Sequence, residues 1–128
     1  MDRVDYWNFP GFEDIYLEDS YLLDLQTNSQ VVARVEAVLK ESHPAYSPPK
    51  SGEQYAYKDI LIIFPNVESY RWLGKKMTPT RDPDGRIDYG NIDELYSLKG
   101  KYYMAGDWGK IEIVSDPPTV SYAQSAAI

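Results

Sequence analysis

The stretch "QVVARVEAVLK", Gln30 to Lys40, decides whether this chain is read as helical or as all-β. Val31, Ala33, Val35, Ala37 and Leu39 alternate with Arg34, Glu36 and Lys40, the period of a half-buried strand. Val31, Val32, Val35, Val38 and Leu39 also line up as a helical stripe, which Ser29 would cap. The four valines tip the choice, because a β-branched side chain loses rotamer freedom in a helix and packs well on a pleated surface. The segment is therefore read as a strand.

Working outward, "IYLED" and "YLLDLQT" predict two strands flanking Asp19-Ser20. "SHPAYSPPKSGE", Ser42 to Glu53, is a proline-rich connector that suits neither a helix nor a central strand. "QYAYKDILIIF" and "VESYRWL" predict consecutive strands around Pro65-Asn66, the first turning fully apolar and therefore central. Gly74 to Gly90 reads as the longest loop, and "IDELYSL" as a short strand or one helical turn. "KYYMA" and "KIEIVS" flank "GDWG" as a hairpin, with Ile111 and Ile113 on one face and Lys110 and Glu112 on the other. "DPP" breaks the chain before a last strand, "TVSY". The expected architecture is all-β: an antiparallel sandwich or flattened barrel of eight or nine short strands with at most one short helix. Residues 1–122 form a single β domain, and 123–128 a frayed tail.

At 128 residues the chain is long enough for a core of its own. Twelve tyrosines and three tryptophans against three phenylalanines favour pleated surfaces with one wet side. The absence of cysteine excludes disulfides, thiolate metal sites and cysteine nucleophiles, and fits a cytoplasmic location. The N-terminal residues lack a signal-peptide pattern, and no apolar run approaches bilayer length, so no membrane association is expected. A net charge of −7 argues against nucleic acid, where binding rests on neutralising phosphates. The charge is uneven: Asp2, Asp5, Glu13, Asp14, Glu18, Asp19 and Asp24 face only Arg3 in the first segment. Arg71, Lys75, Lys76, Arg81 and Arg86 cluster later. This pattern is either solvated surface paired within the fold, or an acidic face for a basic partner.

"TRDPDGRIDYGNID", Thr80 to Asp93, offers Asp82, Asp84 and Asp88 as oxygen ligands for calcium, but its spacing is not that of an EF-hand. As a turn, Pro83 presets φ, Asp84-Gly85 closes the bend, and Arg81 and Arg86 pair across it and repel a cation. The turn reading is favoured. His43, the one histidine, precedes Pro44 and lacks a G-x-S-x-G partner, so it reads as a residue that either hydrogen-bonds the connector in place or is simply exposed. No catalytic residue and no cofactor is expected.

The strings "HPAYSPPKSGEQYAY", "IDYGNID" and "GDWGKIEIVSDPP" together resemble a family of small uncharacterised bacterial β-rich proteins, over Val31 to Thr119. The chain is also loosely similar, in size and acidity, to toxin-immunity proteins. The resemblance implies a mostly β domain and no catalytic residues. The expected function is a non-enzymatic protein-binding domain, immunity-like or accessory, present as monomer or homodimer. Tyr6, Trp7, Trp72 and Trp108 are the expected anchors, and Asp14, Glu18 and Asp19 would steer a basic partner. Trp108, at the hairpin tip, either meets that partner or folds back over the sheet end. The alternative function is a calcium- or carbohydrate-binding module using the Asp82–Asp93 loop.

Overall fold

The computed structural model describes residues 2–49, 51, 55–83 and 85–122. Its strands, in chain order, are β1 Val4–Asp5, β2 Ile15–Thr27, β3 Val31–Leu39, β4 Tyr57–Phe64, β5 Ser69–Leu73 and β6 Thr80–Arg81. They continue with β7 Ile87–Asp88, β8 Ile92–Leu98, β9 Lys101–Gly106, β10 Gly109–Val114 and β11 Thr119–Tyr122. The helical content among the described residues is one 3-10 turn, Tyr6–Asn8. No helix there is long and apolar enough to cross a membrane.

Every strand pairing is antiparallel, as the missing crossover helices require. A five-stranded sheet runs β1-β8-β9-β10-β5 and a four-stranded sheet runs β11-β4-β3-β2; we refer to them as the first and second sheets. One core of inward side chains from both sheets lies between them. The result is a sandwich and not a closed barrel. Among the described residues, eleven strands replace the expected eight or nine because β1, β6 and β7 are two-residue pairings too short to show periodicity. Two of these make a small hairpin inside the segment read as a plain loop. The tail 123–128 lies outside the described residues.

β3 follows the strand reading of its sequence. Val31, Ala33, Val35 and Ala37 are fully buried, Arg34 is exposed, and β2 and β4 flank it. The sequence misleads one strand earlier. "IYLED" and "YLLDLQT" are one continuous strand, β2, with two irregularities in its pairing to β3. The chain advances from Tyr16 to Tyr21 while its partner moves only from Val38 to Glu36. Ser20 makes this possible: its buried hydroxyl accepts from the Val38 N–H at 2.9 Å and donates to the Tyr16 carbonyl at 2.7 Å. A side chain thus replaces the ladder bonds that the bulge removes. Strict alternation from Tyr16 would turn Tyr21 into the core, and the bulge turns it outward instead.

The β9–β10 hairpin also departs from its simplest reading. Gly106 sits so close to the Asn91 carbonyl that an added Cβ would lie 2.0 Å from it. Gly109 takes φ +114°, the left-handed region open to glycine. These two glycines let Trp108 fold back between the sheets. It is 0% exposed and meets Trp72 edge-on at 6.3 Å.

Candidate functional site

The expected anchors do not form one surface. Trp108 is fully buried, and its carbonyl accepts from Trp72 Nε1 at 3.1 Å, so it cannot meet a partner. Its own Nε1 has no hydrogen-bond partner among the described residues. Tyr6 is 3% exposed; its hydroxyl donates to Glu18 and accepts from the Leu17 N–H at 3.0 Å. Burial, reinforced by Glu18, pushes the Tyr6 phenol well above its ordinary pKa. Both residues are therefore structural: an apolar ring tethered by its polar end is better placed inside than at a rim. Trp7 is exposed and Trp72 half-buried, on opposite edges of the first sheet. Of the steering acids, Glu18 is taken by Tyr6, and Asp19 lies near Tyr55, whose phenol it pushes up. Asp14 adopts φ 63°, and its carbonyl accepts from the Lys40 N–H at 2.9 Å.

The calcium-ligand reading fares similarly. Asp82 Oδ1 accepts the Arg86 N–H at 2.9 Å, and Asp88 Oδ1 accepts the Gly90 N–H at 2.8 Å. Both carboxylates stabilise turns. Asp84 lies outside the described residues, and among those described no three acidic or histidine side chains gather into a metal-binding group. Arg81 bonds the Gly85 carbonyl at 3.1 Å, while Arg86 leaves the turn altogether.

His43 lies in an open depression with Glu13, Asp14 and Tyr122. Its Nδ1 accepts the Ala45 N–H at 2.9 Å, which places the ring proton on Nε2, donated to the Tyr122 hydroxyl. The imidazole fastens the connector to β11. Neither ring nitrogen is free to take a proton from a substrate in this arrangement.

The two outer faces differ in how their charge is managed. On the first sheet, Tyr96 and Tyr103 stack at 5.0 Å, Arg3 lies 3.9 Å over Tyr96, and Lys110 covers both rings. Glu112 pairs there with Lys101 at 3.3 Å. This face is covered by its own cations.

On the second sheet the pairing register sets Tyr16, Val38 and Tyr57 in one row and Tyr21, Glu36 and Asp59 in the next. Tyr21 and Tyr57 meet at 6.4 Å and Tyr55 stands edge-on to Tyr57 at 6.2 Å, making a continuous aromatic wall. The β6–β7 hairpin reaches over this face from beside β2, where the Tyr89 N–H donates to the Leu22 carbonyl at 2.8 Å. Its Arg86 forks between Glu36 at 3.0 Å and Asp59 at 2.6 Å. Between hairpin and sheet lies a cavity of about 670 Å³, walled by Tyr21 and Tyr57 and edged by Glu36, Asp82, Asp88 and Asp107. An apolar depression of about 480 Å³, against Tyr16 and Tyr55, adjoins it.

Among the described residues, the lining of this cleft carries four carboxylates and one guanidinium. Glu36 titrates above the ordinary carboxylate range because burial disfavours its charge. Arg86 counters that shift without cancelling it, since Asp59, Asp82 and Asp88 add to it. Tyr57 is pushed up to about 12, first by burial and then by Tyr21, Glu36 and Asp19. A wall of phenols beside excess carboxylate suits a cationic group.

The sequence reading missed Tyr21, Glu36, Tyr57, Asp59 and Arg86 as a group. One signal was present: Glu36 on the polar face of "QVVARVEAVLK", and Tyr57 and Asp59 alternating outward from "QYAYKDI". Comparison with protein-family models, with curated proteins and with solved structures finds no match.

Proposed function

We propose that this chain is a non-enzymatic recognition domain that docks a basic segment of a protein partner on the outer face of its second sheet. The observation that carries the reading is the tyrosine-walled cleft between that sheet and the β6–β7 hairpin. Among the described residues, four carboxylates (Glu36, Asp82, Asp88 and Asp107) line it with Arg86, and Asp59 beside it pairs with Arg86 and, at 3.7 Å, with Arg34. Excess carboxylate steers a basic partner from a distance, and the phenols supply contact area at low entropic cost. Trp7, half exposed, lies outside the cleft and remains a separate candidate contact. An immunity-like or accessory role, in the cytoplasm, is the setting that suits a small acidic binder.

Calorimetric titration with an arginine- and lysine-rich peptide tests this reading. The expected result is binding that weakens as salt rises, and no binding of an acidic peptide of equal length. Absence of heat with the basic peptide at low salt, together with a pull-down that recovers no partner at low or physiological salt, would overturn it.

A second reading takes a saccharide in the same cleft, favoured by Asn91 and the polar edge beside the Tyr21–Tyr57 wall. Neutral sugars bind with little salt dependence, which separates the two readings.

A further inference from the structure

Arg86 occupies the cleft in an unusual way for a surface arginine. Its two Nη atoms bridge carboxylates on adjacent strands, Glu36 on β3 and Asp59 on β4, which are direct cross-strand neighbours. Nothing in the hairpin itself requires this. The β6–β7 turn closes through its own bonds: Asp82 N–H to the Arg86 carbonyl at 2.9 Å, and Gly85 N–H to the Asp82 carbonyl at 2.9 Å.

The hairpin is otherwise lightly held. Met77 and Tyr89, at its two ends, pack against the core, whereas no described residue from 78 to 88 belongs to it. Thr78, Pro79, Thr80, Arg81, Pro83, Gly85 and Ile87 are all exposed. A segment with firm ends and little apolar contact between them opens at low free energy. β7 lies beside β2, and the Arg86 fork ties the hairpin across to β3 and β4.

We propose that Arg86 is an intramolecular stand-in for the partner: the β6–β7 hairpin is a strap, and an incoming arginine displaces Arg86 from Glu36 and Asp59. This inference rests on the docking reading above and names the group that docks. Two carboxylates set side by side at the spacing of a guanidinium fork are satisfied bidentately by arginine, whereas a lysine ammonium meets them as a point charge. Exchanging one guanidinium for another leaves that pairing unchanged. The gain comes from the tyrosine wall and from the further carboxylates at the cleft edge, Asp88 and Asp107. Arg86 therefore lowers affinity for every basic ligand and raises selectivity for arginine, because only arginine replaces the lost fork.

The test measures backbone hydrogen exchange over 78–88 in the full chain, and calorimetric binding of an arginine-bearing decapeptide and its lysine counterpart. Wild type is compared with Arg86→Gln, Arg86→Lys and the double variant Glu36→Gln, Asp59→Asn. Arg86→Gln is expected to speed exchange across 78–88 and to bind the arginine peptide roughly tenfold more tightly. Arg86→Lys is expected to fall between, and the double variant to lose binding. Unchanged exchange in Arg86→Gln, or weaker binding by it, overturns the strap and leaves the docking face standing. Faster exchange with no peptide binding by any of the proteins overturns the docking face, and the stand-in role with it. Since exchange reports the strap without any ligand, the two failures are distinguishable.

Discussion

Replacing Ser20 by alanine removes one hydroxyl, and the consequences can be worked from its two bonds. The buried Val38 N–H loses the Ser20 hydroxyl as its acceptor, and the Tyr16 carbonyl loses a donor in a partly buried position. A buried amide left unpaired costs about 1–3 kcal/mol, and a carbonyl that can still find water costs less. The expected loss is about 2–3 kcal/mol, a large share of the stability of a domain this size. With a urea m-value of about 2 kcal/mol/M, the midpoint falls by roughly 1–1.5 M. Urea unfolding followed by tryptophan fluorescence measures it, Trp108 being the fully buried reporter. The slope m should stay as in wild type, because the core is unchanged. The same substitution loosens the bulge that turns Tyr21 outward, so affinity for a basic peptide should fall as well. A midpoint within about 0.2 M of wild type would refute the claim that Ser20 stands in for the missing ladder bonds.

Gly106→Ala should destabilise by about 3 kcal/mol or more in the same assay, because the new methyl meets the Asn91 carbonyl and the Trp108 indole nitrogen with no space to relax. Trp108→Ala, which empties a fully buried indole site, should cost about 3–5 kcal/mol without altering peptide binding per folded molecule. Tyr57 gives a pH dependence: raised from about 10 to about 12, it holds its proton in the folded state after the unfolded chain has lost it. Its contribution is present below pH about 10 and is lost as pH rises toward about 12, so Tyr57→Phe should flatten the fall in stability measured across that window. Millimolar calcium should leave the melting temperature unchanged, since Asp82 and Asp88 already hold backbone amides; an upward shift would restore the cation-loop reading.

The architecture was legible where one residue's neighbours in sequence are also its neighbours in physics. β3 shows its buried face in five alternating residues, and the two isoleucines of β10 mark theirs. Alternation is a local property, and prolines and glycines punctuate it. The cleft was not legible, because it is assembled across β2, β3 and β4 by register, and register is a long-range property. Tyr21 is the sharpest case: its outward orientation depends on the Ser20 bulge, which no count of alternating residues reveals. Arg86 was placed opposite Arg81 by turn chemistry, yet its side chain is long enough to reach past the turn to Glu36 and Asp59. Trp108 was legible only as an alternative, and the tight approach at Gly106 decided it toward the interior.

Amide chemical-shift mapping during titration with the arginine-bearing decapeptide addresses the recognition surface most directly. The account expects perturbations concentrated at Tyr21, Glu36, Tyr57 and Asp59 and along 80–91, saturating with a single affinity. Shifts centred on Trp7 or on β5, or none at all at low salt, would contradict it.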